Sequence, residues 1–211
     1  MDFEKALGAD FREVGKGERE GRLTHVVRAK RTYPTSQEDL WSAITDKQRL
    51  ERWFGEVSGD FKRGGRFSIE GNADGDIIAC DPPHTLALTW EFGGNKSWVT
   101  VTIHDVESGA LLTLEHELPT DEDSEAHWEK YGPGATGVGW EMAMIGLDGH
   151  LQMIGQSVIV AGQEWTQGEE GKSRLRSWAE AWGKAHAEVG TSMKVAMETA
   201  ARTADFYTGE A

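Results

Sequence analysis

The stretch Thr85-Leu86-Ala87-Leu88-Thr89-Trp90-Glu91-Phe92-Gly93-Gly94-Asn95-Lys96-Ser97-Trp98-Val99-Thr100-Val101-Thr102-Ile103-His104 decides the fold. Leu86, Leu88, Trp90 and Phe92 alternate with more polar neighbours, the period of a strand with one apolar face. Gly93-Gly94-Asn95 is hairpin chemistry, and Val99, Val101 and Ile103 then share a face. Downstream, Ser108-Gly109 turns the chain, and residues 111–118 place Leu112, Leu114, His116 and Leu118 on one side. Upstream, Pro82-Pro83 breaks the chain after a strand at 76–81, which follows a turn at Ala73-Asp74-Gly75 and a strand at 66–71. Residues 23–33 are a further alternating run, ended by Pro34. Consecutive strands joined by tight turns form an antiparallel meander.

Helical patterns flank these strands. Ser36 caps a first helix with Leu40, Trp41 and Ile44 on one face, and Asp46 caps a second with Leu50, Trp53 and Phe54. Residues 119–136 read as an acidic loop with a short helix near 126–131. From Gly137 to Met153, Trp140, Met144, Leu147 and Leu151 recur at helical spacing, widened by Val138, Met142 and Ile145. This helix is apolar over more than half its girth, so it is expected to be buried against the sheet. Its glycines cost up to ~1 kcal/mol each relative to alanine; they let a neighbour approach or leave room for a ligand. In the tail, 162–171 reads as a polar loop, and Leu175, Trp178, Trp182, Ala185 and Val189 form an amphipathic stripe. A last helix runs from Thr191 or Ser192 to about Phe206. Residues 1–21 are polar and glycine-rich, with a short strand at 10–14 and a turn at 15–21. The class is α+β. A domain at 1–153, with its core at 22–153, precedes a helical extension at 154–211 that packs on the domain or makes a homodimer.

The formal charge is 22 − 36 = −14, a surface that repels nucleic acid and anionic membranes. Hydrophobic content of 38% with 27% charged residues is globular composition. The single cysteine, Cys80, permits no internal disulfide and reads as a structural thiol. The start lacks the apolar stretch of a signal peptide, and no window is long and apolar enough to span a membrane, so the cytoplasm is the expected compartment. The seven histidines show no zinc spacing, and no phosphate loop, dinucleotide fingerprint or nucleophile elbow occurs. No cofactor and no metal are expected.

Six segments in order carry a resemblance. They are Ile44-Thr45-Asp46-Lys47-Gln48-Arg49-Leu50-Glu51-Arg52-Trp53-Phe54, then Gly64-Gly65-Arg66-Phe67, then 77–92 with Asp81-Pro82-Pro83 and Leu88-Thr89-Trp90. Ser97-Trp98-Val99-Thr100, Leu112-Thr113-Leu114-Glu115-His116, and Gly139-Trp140 before Ile145-Gly146-Leu147 complete the set. Over residues 22–152 the chain resembles the activator of heat-shock-protein-90 ATPase homologue-like branch of the START-like (SRPBCC) superfamily. Lys47 stands where that branch usually has proline. The resemblance implies a helix-grip fold: a seven-stranded antiparallel sheet wrapped around a C-terminal helix, with two small helices filling the gap. It also implies four roles: binding of lipids, hormones or polyketides, cyclase or aromatase catalysis, resistance to an enediyne antibiotic by sacrifice of the protein's own backbone, and stimulation of a chaperone ATPase.

A curved sheet against one helix leaves room for a cavity. The expected walls are Leu88, Trp90, Val101, Leu114, Trp140, Met144 and Leu147. His116 shares the inward parity of its strand; it is either a satisfied core histidine or the polar end of the cavity. The leading reading is a binding protein for a hydrophobic small molecule. A cyclase- or aromatase-like enzyme, and an interaction module displaying the Trp178/Trp182 stripe, are the alternatives.

Overall fold

The computed structural model describes residues 8–153 and 155–210; the reading of residues 1–7 as part of a polar segment falls outside that range. The chain runs β1 (Phe11–Arg19), β2 (Arg22–Tyr33), α1 (Gln37–Thr45), α2 (Lys47–Leu50), β3 (Val57–Gly59), β4 (Arg66–Ile69), β5 (Asp74–Asp81), β6 (Thr85–Phe92), β7 (Asn95–Val106) and β8 (Gly109–Pro119). Five helices follow: α3 (Glu122–Tyr131), α4 (Gly134–Gln152), α5 (Ile159–Gln167), α6 (Glu169–Glu188) and α7 (Met193–Thr208). No helix among the described residues is long and apolar enough to cross a membrane.

All strands lie in one antiparallel sheet, in the order β1-β2-β8-β7-β6-β5-β4-β3. This is the α+β helix-grip arrangement, with α4 lying against the sheet. Eight strands stand where seven were implied. The unforeseen one, β3, has three residues and pairs with β4 at the sheet edge; it is too short for a period to show. Residues 15–19, expected as a turn, belong to β1, where Gly15 faces Val26 and Gly17 faces Thr24 across the pair. A Cβ on Gly17 would lie 3.0 Å from Thr24 Oγ1, so the glycine permits close strand packing. The turn itself shrinks to Glu20-Gly21, both at positive φ (53° and 75°), the backbone of a two-residue hairpin.

Local chemistry sets the helix ends. Ser36 accepts from the Asp39 amide, and Asp46 closes α1 while accepting from the Arg49 amide to open α2. Lys47 is the first residue of α2, a position that suits proline because its amide needs no helical partner. α4 begins at Gly134, one turn earlier than its apolar stripe suggests.

The tail departs from expectation in one place. Residues 162–171 are helical but for Gly168, at the junction of α5 and α6. A Cβ on Gly171 would sit 2.1 Å from the Trp165 carbonyl oxygen, so a glycine read as loop composition is a close helix contact. Leu175, Trp178 and Trp182 of α6 are at most 2% exposed and join the same apolar core as Val27, Leu112 and Met144. Gly137 of α4 receives Trp182: a Cβ there would be 2.1 Å from the indole.

A buried carboxylate ties these layers together. Glu141 on α4 is fully buried. It accepts from Arg12 Nε (2.8 Å) and Nη2 (2.5 Å), from the Ala9 amide (2.9 Å) and from Trp182 Nε1 (2.7 Å). With a bidentate guanidinium and two further donors, its charge is compensated. β1, α4 and α6 thus meet at one side chain.

Candidate functional site

The sheet and helices form a partly open cavity of about 140 Å³. β6 contributes Leu88 and Trp90, β7 Val101, β8 Leu114, and α4 Trp140, Met144 and Leu147. Seven of the eight residues expected at the site therefore meet there. The opposite wall comes from α1 and α2 with the turn after them, through Ile44, Leu50, Trp53 and Phe54, and from Phe61 and Phe67 around β3 and β4. Ile44, Leu50, Trp53 and Phe54 were legible as apolar helix faces and Phe67 as part of a strand, but nothing in their spacing aimed them at this cavity, and Phe61 carried no signal. Thr45 and Cys80 supply the only hydroxyl and thiol of the lining among the described residues.

The cavity sits where two apolar clusters meet. The larger includes Leu112, Leu114, Met144 and Leu147; the smaller comprises Leu50, Val57, Phe67, Ile69 and Ile77. Trp53 and Trp90 pack against both. The rings form a connected wall: Trp90 lies 5.1 Å from Trp140 and 6.2 Å from Phe67, and Phe54 lies 6.4 Å from Trp140 with the two planes 8° apart.

His116 stands behind this wall and is not its polar end. Trp140 Nε1, which can only donate, bonds His116 Nδ1 at 3.0 Å. The ring proton is therefore on Nε2, which donates to Ser97 Oγ at 2.8 Å, and Ser97 passes its own hydrogen to the Trp90 carbonyl at 3.1 Å. Burial pushes the His116 pKa down to about 3, so the ring stays neutral. Both nitrogens are spent on holding two indole residues of the cavity wall. The relay was hidden in the sequence because its partners lie 19 and 24 residues away.

The α4 glycines also differ from expectation. A Cβ on Gly139 would meet the Tyr207 hydroxyl at 3.0 Å, and one on Gly146 would meet the Trp53 carbonyl at 3.1 Å. With Gly137 against Trp182, they admit neighbouring residues and do not widen the cavity. Tyr33, the last residue of β2 and fully buried, donates its hydroxyl to the Met144 carbonyl of α4 at 3.1 Å. A second hollow of about 270 Å³ lies between α4 and α5; Trp53, Phe54 and Ala143 line both. Among the described residues no three His, Cys, Asp or Glu side chains gather to hold a metal ion.

Comparison with known proteins bears on this architecture. Residues 34–152 match the family described as activator of Hsp90 ATPase homolog 1-like protein. The crystal structure of CalU16 from Micromonospora echinospora is similar at 29% identity and a TM-score of 0.65, covering 83% of this chain and 96% of that one. Its solution structure gives 30% identity and 0.65, covering 88% and 100%. Protein MLL2253 from Mesorhizobium loti is similar at 26% identity and 0.52, covering 60% and 96%. No curated protein matches the chain.

Proposed function

The chain belongs to the activator of Hsp90 ATPase homolog 1-like family, and from that premise we propose that it binds an apolar small molecule, without transforming it, between the sheet and α4. One observation carries this reading: an aromatic-walled cavity of about 140 Å³ whose lining is apolar apart from Thr45 and Cys80. Such a space is poor for water, which needs two or more polar partners, and good for hydrocarbon. An engineered apolar cavity of ~150 Å³ holds a benzene ring. The enclosed part of the ligand is therefore of the order of one ring or a short alkyl segment.

The interaction-module reading rested on an exposed Trp178/Trp182 stripe. Both indoles are buried within the chain, at 2% and 0% exposure, so that surface is already occupied. The enzyme reading wanted a polar group facing the cavity, and His116 is bonded on both nitrogens behind it.

The test is a screen of fatty acids, aromatic polyketides and flavonoids, read by quenching of tryptophan emission and by native mass spectrometry. Met144→Trp fills the space between α4 and the sheet. Overpacking a core costs ~1–3 kcal/mol, so the fold is expected to survive while affinity falls at least roughly tenfold. If no compound is retained, or Met144→Trp binds as the wild type does, the cavity is not the binding site.

A further inference from the structure

The hollow between α4 and α5, about 270 Å³, is larger than the cavity beside it. One face of α5 forms its far side: Ile159, Gly162, Gln163 and Thr166 recur at helical spacing, and all line it. α5 is pinned at both ends. At its start the Val158 amide and the Ser157 hydroxyl donate to the Arg52 carbonyl, at 2.8 and 3.2 Å. At its end Trp165 packs on Trp178, with ring centroids 6.3 Å apart. Between these points α5 buries none of its residues, so its inner face borders a space and not a packed neighbour. Gly162 marks that space. Gly137, Gly139 and Gly146 of α4 each receive a neighbour, whereas a Cβ on Gly162 would meet nothing within 4 Å among the described residues.

The hollow and the cavity share a partition, since Trp53, Phe54 and Ala143 line both. Trp53 is fixed, its Nε1 donating to the Ala43 carbonyl at 3.0 Å. Ala143 offers a single methyl group. Phe54 is half-buried, and its ring has no hydrogen-bonding atom; it meets Trp53 at 5.1 Å and Trp140 at 6.4 Å. It is the member of the partition that a side-chain rotation moves aside. No charged residue lines the hollow, and its side-chain oxygens come from Gln163 and Thr166. Thr166 Oγ1 donates to the Gln163 carbonyl at 2.8 Å and is left as an acceptor. The Gln163 side-chain amide both donates and accepts.

From this arrangement we propose that the ligand is elongated and ends in an uncharged hydrogen-bonding group, a hydroxyl or a primary amide. Its apolar end fills the cavity against the sheet, its middle passes Phe54, and its polar end lies between α4 and α5 against Gln163 and Thr166. This deepens the binding reading and rests on it. An ion at the polar end would find no counter-charge among the lining residues, whereas a hydroxyl finds an acceptor in Thr166 and a donor in Gln163. The cavity alone suits about one ring or a short alkyl segment; with the hollow added, the ligand is roughly three times that size.

The test is a series of straight-chain alkanols, hexanol to decanol, titrated against the full chain and followed by tryptophan emission. Each methylene moved into apolar space is expected to tighten wild-type binding about fourfold, so decanol binds roughly a hundredfold more tightly than hexanol. Gly162→Leu puts a side chain into the hollow. Its Cβ strikes no atom and leucine is the better helix former, so the variant is expected to fold, which circular dichroism and Tm verify. It is expected to bind hexanol as the wild type does and to lose at least roughly tenfold for decanol, about two methylenes' worth, whereas Met144→Trp weakens both. In Gln163→Ala/Thr166→Val, decanol is expected to lose roughly fivefold, the size of one net hydrogen bond. Methyl nonyl ether, its isomer with no hydroxyl hydrogen to donate, loses less. Decanol binding that survives Gly162→Leu, or that survives Met144→Trp while hexanol binding is lost, overturns the spanning ligand and leaves the cavity reading standing. Equal losses for decanol and the ether overturn the polar end. If no alkanol binds, or Met144→Trp binds them all as the wild type does, the cavity reading fails and the spanning ligand falls with it.

Discussion

The proton on His116 has one place to be. Trp140 can only donate, so it claims Nδ1 as acceptor and leaves the hydrogen on Nε2, directed at Ser97. A second proton has no acceptor to meet, and burial holds the pKa down to about 3. The unfolded chain titrates this ring near 6.5. Between those values the unfolded state binds more protons, so stability present above about pH 6.5 is lost as the pH falls, by up to ~1.4 kcal/mol per pH unit for this group. His127, His150 and His186, also lowered by burial, add in the same direction. His116→Gln keeps an acceptor and a donor but cannot titrate. Urea midpoints at pH 7, 6 and 5 are expected to fall less steeply for this variant than for the wild type; parallel slopes would show that His116 is not neutral in the folded protein. Strand parity made the inward direction of His116 legible, but not its bonding. Glu141 was less legible still. It sits beside an apolar helical stripe, and its donors come from residues 12, 9 and 182.

Among elements, β6 was read to its end residues because a strict alternation lies between a proline break and a glycine turn. β1 and the start of α6 were misread for the opposite reason: their glycines serve close packing, and composition alone cannot separate a packing glycine from a turn glycine. The α6 stripe was plain from its spacing, and its energetic weight can be tested. Trp178 and Trp182 are almost wholly buried, and truncating a buried tryptophan costs ~3–5 kcal/mol. Trp182→Ala also removes one of the donors to Glu141. The double variant Trp178→Ala/Trp182→Ala is therefore expected to lower Tm sharply in thermal unfolding followed by circular dichroism. An unchanged Tm would mean that α6 does not hold the fold together.

Over the whole molecule, the cavity could be anticipated only in part. Walls contributed by regular strands and by α4 followed from period, whereas the aromatic wall from α2 and the short β3–β4 region depends on how the far edge of the sheet curls back, which no local pattern encodes. The sheet order itself carries a further consequence. β2 pairs on one side with β1, through a two-residue turn, and on the other with β8, where Thr24 meets Pro119. Those two residues are 119 − 24 = 95 positions apart. At ~5–20 residues per second, a ribosome takes about 5–20 s to make that interval. Throughout it the N-terminal hairpin emerges with the inner edge of β2 bare, and its anchor on Glu141 is still further downstream. Refolding from urea is expected to be slow for a chain of this size, because so long a loop must close before the central pair forms; a sub-millisecond phase carrying the full amplitude in stopped-flow fluorescence would contradict this. Charged side chains along a bare edge, such as Arg22 and Lys30 of β2, disfavour the pairing of one unfinished chain with the next.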